Sequence, residues 1–185
     1  KSVKGEFLQA KKFGSINHAR NWKKKFKGTN VDIHGLDSWE YTYINESFPS
    51  DINFDIKQLN ILCIDIECEC ENGFPEPVDA EEKVNAITMK LFGHDTIHVI
   101  GTDNFEFKTD NPNIKYHKCQ HEKQLLKTFM EVWDELEPDI VTGWNVETFD
   151  MAYLINRIWK LFDWNTATKL SPHNLLTSRE WFYMG

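Results

Sequence analysis

At 185 residues, with 41% hydrophobic and 14% aromatic side chains, the chain carries enough apolar surface to bury an independent core, which excludes a disordered tail. A net charge of −8 is ill suited to clamping duplex DNA over a long basic surface. It suits a domain that concentrates carboxylates in one place, such as a divalent-metal site, where the ions themselves supply positive charge to a short single strand. No apolar run approaches the ~18 residues of a membrane-spanning helix, so no membrane partner is expected. The start, Lys1-Ser2-Val3-Lys4, has neither an initiator Met nor an apolar signal core, and the chain stops abruptly at Tyr183-Met184-Gly185. Both ends are expected to be cut edges.

Residues 1–55 form one expected unit. Ser15 fits the N-cap of an amphipathic helix carrying Ile16, Ala19, Trp22 and Phe26 and stopped by Gly28. Lys23, Lys24 and Lys25 on that helix fit either a solvated face or a phosphate-facing patch. The aromatic alternation of Trp39-Glu40-Tyr41-Thr42-Tyr43-Ile44 predicts a strand, and Pro49-Ser50-Asp51 marks a turn and a domain junction.

From residue 56 the pattern becomes α/β. Asn60 to Glu67 is a β-branched apolar run ending in acids, which predicts a central strand with Cys63 in the core. Gly73-Phe74-Pro75-Glu76-Pro77 must be loop, because two prolines forbid a helix or central strand. Ala86–Phe92 and Thr96–Ile100 flank Gly93-His94-Asp95 as a hairpin, and Ile114–His117 predicts a further short strand. Leu125, Phe129, Val132 and Leu136 recur at helical spacing up to Pro138. Asp139 to Trp144 predicts a buried strand, and Thr148 a cap for a helix whose apolar face carries Met151, Leu154, Ile155, Ile158, Trp159 and Phe162. Residues 163–185 show no clear period.

The four cysteines predict free thiols in a reducing cytoplasm, since the spacing of Cys68 and Cys70 suits neither a zinc knuckle nor a disulfide. His117, Cys119 and His121 alternate, but lysines and a glutamine surround them and zinc is not expected there.

The chemistry lies in the carboxylates. On a strand Asp65 and Glu67 project from one face, and two adjacent acids repel unless something neutralises them. They fit either a bland surface pair or oxygen ligands of a hard cation such as Mg²⁺ or Mn²⁺. Asp139 to Asp150 runs from a strand through a turn into a helix, bringing polar groups to the carboxyl end of the strand where α/β sites gather. Asp150 at a helix start fits either a dipole cap or a third carboxylate for the Asp65/Glu67 site. Phe149 beside it fits either the core or a surface on which an unstacked base rests. Three carboxylates holding two metal ions suit phosphodiester hydrolysis.

Ile64-Asp65-Ile66-Glu67 resembles the first exonuclease motif of family B DNA polymerases, and Asn145-Val146-Glu147-Thr148-Phe149-Asp150 the second. The resemblance is to the T-even bacteriophage type. It extends to Gly73-Phe74-Pro75-Glu76-Pro77, Thr142-Gly143-Trp144-Asn145, Tyr153-Leu154-Ile155-Asn156-Arg157-Ile158, Leu170-Ser171-Pro172-His173 and, upstream, Phe13 to Trp22. It implies that Asp65, Glu67 and Asp150 are catalytic metal ligands for two Mg²⁺ or Mn²⁺ ions per complete site. It implies that Phe74, Asn145 and Phe149 contact the terminal nucleotides of the edited strand. Where relatives commonly carry Val-Thr after the catalytic Glu, this chain has Cys68-Glu69. The family's third motif, a Tyr and an Asp on a later helix, is expected beyond residue 185.

The resemblance thus implies a ribonuclease H-like α/β exonuclease domain over 56–185, with a mixed central sheet flanked by helices, preceded by a partial N-terminal domain over 1–55. Its expected function is 3′→5′ proofreading on a single-stranded DNA 3′ end or primer-template in the cytoplasm of an infected bacterial cell. The expected partner is a downstream polymerase portion, in cis or as a separate chain. The isolated piece is expected to be weak or inactive. The alternative is a non-catalytic docking or single-strand-binding piece of a split polymerase.

Overall fold

The computed structural model describes residue 5 and residues 7–35, 38–51, 53–71, 73–102 and 108–178. The terminal Tyr183-Met184-Gly185 lies outside the described residues. The chain divides into two compact units, Lys1–Phe54 and Asp55–Gly185.

In the first unit, Ser15 caps α1 (Ile16–Lys24), its hydroxyl accepting from the His18 N–H at 3.2 Å. Trp22 packs between Phe26 and Phe13, with ring centroids 4.7 and 5.4 Å away, and Gly28 (φ +83°) supplies the left-handed turn after the helix. The stretch Trp39–Ile44, expected as a strand, is instead part of helix α2 (Trp39–Ser47). Aromatic alternation favours a strand only where a neighbouring strand pairs its backbone and a face is buried. Among the described residues of this unit there is no strand, and none of α2 is buried. Local helical hydrogen bonds therefore satisfy the backbone, and Tyr41 and Tyr43 stay exposed.

The second unit is α/β, with a mixed five-stranded sheet in the order β4-β3-β2-β1-β5 and helices on it, the ribonuclease H-like arrangement. The strands are β1 (Ile61–Cys68), β2 (Val84–Leu91), β3 (Ile97–Thr102), β4 (Ile114–Cys119) and β5 (Ile140–Thr142). β1, β2 and β3 run as an antiparallel meander, the second turn passing through Gly93 at φ +79° as the hairpin signal predicts. β4 joins β3 and β5 joins β1 in parallel.

Period two divides β1 into Leu62, Ile64 and Ile66, all buried, and Cys63, Asp65 and Glu67, all exposed. Cys63, expected in the core, therefore shares the open face with the two acids. β5, expected to be buried, has Ile140 and Thr142 exposed. It is a three-residue strand at the sheet's edge with β1 as its one partner.

The core lies between the sheet and two helices, α3 (Glu122–Leu136) over β2, β3 and β4, and α4 (Asp150–Leu161) over β1. Leu125, Phe129 and Val132 of α3 are buried as their spacing predicts, and α3 ends at Glu137 in the left-handed region (φ +42°) before Pro138. On α4 the buried positions are Asp150, Tyr153, Leu154, Arg157 and Ile158, whereas Trp159, expected on the apolar face, is half exposed and meets Trp164 edge-on. Thr148 does not cap α4. Phe149 stands at the cap position without a side-chain bond, and the Thr148 hydroxyl donates to the Asn145 carbonyl at 3.3 Å. A further short helix, α5 (Trp164–Thr168), starts where Asp163 accepts from the Thr166 N–H at 2.7 Å. Its one legible signal is that Asp-x-x-Thr cap.

A buried ion pair joins the two long helices. Arg157 Nε and Nη2 donate to the two Glu122 carboxylate oxygens at 2.7 and 2.8 Å, and one of those oxygens also accepts the Val84 N–H at 2.9 Å. Both side chains are under 10% exposed, so each charge depends on the other. Removing one partner by Glu122→Ala is expected to lower unfolding free energy in urea titrations by about 3–5 kcal/mol, the range for stranding a buried charge.

Across β3 and β4, His98 Nδ1 and His117 Nε2 lie 3.2 Å apart with their rings stacked. Burial pushes both below the usual imidazole range. The positive charge of Lys115 adds to this at both, that of His98 adds at His117, and Glu135 opposes it at both. His94 lines a cleft with His98, Lys115 and Glu135. With folded values depressed, the unfolded chain takes up these protons at higher pH than the folded one. This contribution to stability is therefore complete above about pH 6.5, the free imidazole value, and is lost as pH falls below it. Thermal unfolding is expected to drop between pH 7 and 5, and His117→Gln to flatten that slope.

Candidate functional site

The site is assembled where β1 runs out of partner. β5 pairs with β1 only as far as Cys63 opposite Thr142, so beyond Cys63 that edge of β1 has no strand beside it among the described residues. The chain leaving β5 passes directly against this edge at Gly143, where a Cβ atom would collide with the Ile64 carbonyl oxygen. Only a glycine allows that approach. Asn145 follows in the left-handed region (φ +58°), and its carbonyl accepts from the N–H groups of Thr148 and Phe149 at 3.0 and 2.8 Å. This tight turn delivers Asp150 to the first position of α4.

There the Asp150 carboxylate, 3% exposed, accepts the Ile66 N–H at 3.1 Å. A side chain thus takes the place of the missing strand partner. Ile66 stands between Asp65 and Glu67, so Asp150 is anchored to the backbone between the other two acids. Burial pushes the Asp150 carboxyl above the usual range, the hydrogen bonds from Ile66 and from its own amide pull it back, and the charge of Asp65 raises it again. Asp65 and Glu67 stay on the exposed face of β1, and the sheet register slips between Glu67 and Cys68, a bulge of the kind that re-aims side chains. Asp65 is thus near enough for its charge to act on Asp150. Among the described residues, however, no three His, Cys, Asp or Glu side chains are gathered closely enough to hold a metal ion.

Beside the acids lie aromatic rings. Phe74, 77% exposed in its loop, meets Phe149 with centroids 5.3 Å apart, and Phe149 meets Tyr153 at 5.6 Å. Phe149 is half-buried: it packs against the core and also meets the Phe74 ring. Asn145 is exposed on the turn. Sequence reasoning singled out Phe74, Asn145, Phe149 and the three acids, but not Gly143, whose signal is a glycine directly after a β-branched strand. It also passed over Trp144, which is 86% exposed next to Asn145. Cys68 is a poor metal ligand: burial, then the neighbouring Cys70 and acids, push its thiol up to about 12 and keep it protonated.

The model of the family described as DNA polymerase family B, exonuclease domain, matches residues 15–183. The chain belongs to that family. The DNA-directed DNA polymerase of Escherichia phage RB69 is 28% identical to it over 92% of this chain, and that of Enterobacteria phage T4 is 24% identical over 97%. The DNA polymerase delta catalytic subunit of Caenorhabditis elegans is 32% identical over 55% of the chain. The chain spans 22% of the length of each phage relative. Among the described residues no helix is long and apolar enough to cross a membrane.

Because the colliding atom at Gly143 is backbone, the neighbour cannot swing aside. Gly143→Ala is expected to destabilise the domain by about 1–3 kcal/mol, the usual range for overpacking. It should also broaden the amide resonances of Ile66 and Asp150, measured by thermal unfolding and NMR, whereas Gly93→Ala should leave those two resonances in place.

Proposed function

We propose that residues 56–185 are the 3′→5′ proofreading exonuclease part of a replicative phage-type DNA polymerase, with residues 1–55 as a partial accessory domain. In this proposal Asp65, Glu67 and Asp150 hold two divalent cations, Mg²⁺ or Mn²⁺. The observation that carries it is the Asp150 carboxylate fixed to the Ile66 N–H, between two acids that point from one open strand face. The donor set fits: it is all oxygen, Asp65 and Asp150 repel each other, and a hard cation relieves that repulsion. When bound, such ions supply an activated water and stabilise the leaving 3′ oxygen of a phosphodiester.

The chain's own groups do the rest. Asp150 is held at fixed height by a backbone bond, so its geometry is set before any ion arrives. The Phe74 ring, backed by Phe149, offers a face on which the base of a single-stranded 3′ end stacks, with Asn145 beside it. Since the edited end is single-stranded and short, a net charge of −8 does not bar it from a site where cations take up the phosphate charge. The setting is the cytoplasm of an infected bacterial cell, and the partner is a polymerase portion, in cis or as a separate chain.

A second reading is favoured by one observation. Among the described residues the three acids do not form a ready cluster, which suits a docking or single-strand-binding piece that does not cleave.

Calorimetry with Mn²⁺ separates the two. The proposal expects binding that Asp150→Asn weakens at least about tenfold, the loss of one charged ligand, and that Asp65→Ala with Glu67→Ala removes. No Mn²⁺ heat from the folded wild-type chain, with oligonucleotide binding retained, would establish the second reading.

A further inference from the structure

The loop after Phe74 does not hold itself in place. Glu76 to Ala80 closes as a turn, with the Ala80 N–H donating to the Glu76 carbonyl at 2.9 Å, but Ala80 sits in the left-handed region (φ +40°) although it is not glycine. It is also completely buried. A non-glycine residue adopts that conformation only when its surroundings impose it.

The surroundings here are a polar stripe on α4. Tyr153, Asn156, Arg157 and Lys160 follow Asp150 at spacings of three, six, seven and ten, so they share one side of the helix with it. Each donates to a main-chain carbonyl of the loop. Asn156 Nδ2 reaches Pro77 at 2.9 Å, and Arg157 Nη1 reaches Ala80 and Glu81, both at 2.8 Å. Tyr153 Oη reaches Glu82 at 2.7 Å, and Lys160 Nζ reaches Asp79 at 3.2 Å. Apart from Lys160 Nζ, which also meets the Glu81 carboxylate at 3.4 Å, the stripe takes main-chain carbonyls of the loop alone, and the one at Pro77 is three residues from Phe74.

We propose that Asn156, with Lys160 as an outer support, is a positioning residue for the substrate platform. By fixing the Pro77 carbonyl, Asn156 sets where the Phe74 ring meets Phe149, and so couples base stacking to the same helix that carries Asp150. This rests on the single-strand reading of the site. Neither Asn156 nor Lys160 touches the acids or the stacked base, so each acts through the loop.

The test uses a short single-stranded oligonucleotide with 2-aminopurine at its 3′ end, titrated in Ca²⁺, with amide exchange of the loop followed in parallel. Wild-type binding should quench the terminal fluorophore. Asn156→Ala should speed exchange of the Asp79 and Ala80 amides and weaken binding about fivefold to tenfold, the worth of one hydrogen bond. Phe74→Ala should weaken it comparably, and the double variant no further, because the two act through one contact. If Asn156→Ala does not fold, Lys160→Ala at the exposed end of the stripe tests the same loop, with a smaller loss in the same direction. Faster loop exchange with unchanged quenching, or additive losses, would overturn the positioning role alone. A folded wild-type chain that leaves the oligonucleotide unbound would overturn the single-strand reading itself, and this role with it.

Discussion

A strand edge without a partner is the constraint around which this domain is organised. β5 is three residues long, so the N–H of Ile66 projects where, among the described residues, no strand neighbours it. A backbone donor left unsatisfied in that position is unfavourable, and the Asp150 carboxylate satisfies it. The same bond places a carboxylate between Asp65 and Glu67. Backbone satisfaction and the gathering of acids are here one interaction, which is why neither can be altered alone. Asn60 sets the other end of β5. Its N–H donates to the Asp139 carboxylate at 2.9 Å and its side-chain amide to the Glu137 carbonyl at 3.0 Å, so β5 begins in register with β1.

α4 then acts as a ruler for the rest of the site. Its first residue meets β1, its apolar residues enter the core, and its polar stripe holds the loop that carries Phe74. The buried Arg157–Glu122 pair ties this ruler to α3 and to the start of β2. Buried pairs of this kind contribute little net stability compared with apolar residues, but they permit few alternative packings. Tyr153 belongs to the same system: burial, and the nearby Cys68, push its hydroxyl up to about 12, so it stays protonated and serves as a donor to the loop. Polar residues that in a helical wheel resemble a solvated face are here the parts that fix a loop.

Membership of the family B exonuclease domains gives these local facts a common setting. The segments by which the chain resembles its phage relatives include Thr142 to Asn145 and Tyr153 to Ile158, and each has a structural reason. The first contains the glycine that passes against β1, and the second contains Tyr153, Asn156 and Arg157, which hold the carbonyls of Glu82, Pro77, Ala80 and Glu81. Neither segment carries one of the three acids, yet both determine where an acid or an aromatic ring stands.

The sequence by itself determined the elements whose signal is local. The α1 cap at Ser15, the glycine hairpin between β2 and β3, the apolar spacing of α3 and the period-two placement of Asp65 and Glu67 each depend on a few neighbouring residues. The family motifs were legible for the same reason, since each is contiguous. The tertiary structure decided whatever depended on a partner distant in the chain. Among the described residues, Trp39–Ser47 became a helix because no strand of its unit was there to pair with it, β5 was exposed because it fell at an edge, and Cys63 faced out because β1 is covered on one side only. Asp150 became an edge cap of β1, 84 positions further along the chain than Ile66, because the strand beside Ile66 had ended. Spacing along a sequence fixes which face a side chain takes, but whether that face meets a strand, a helix or solvent is settled only when the sheet is assembled.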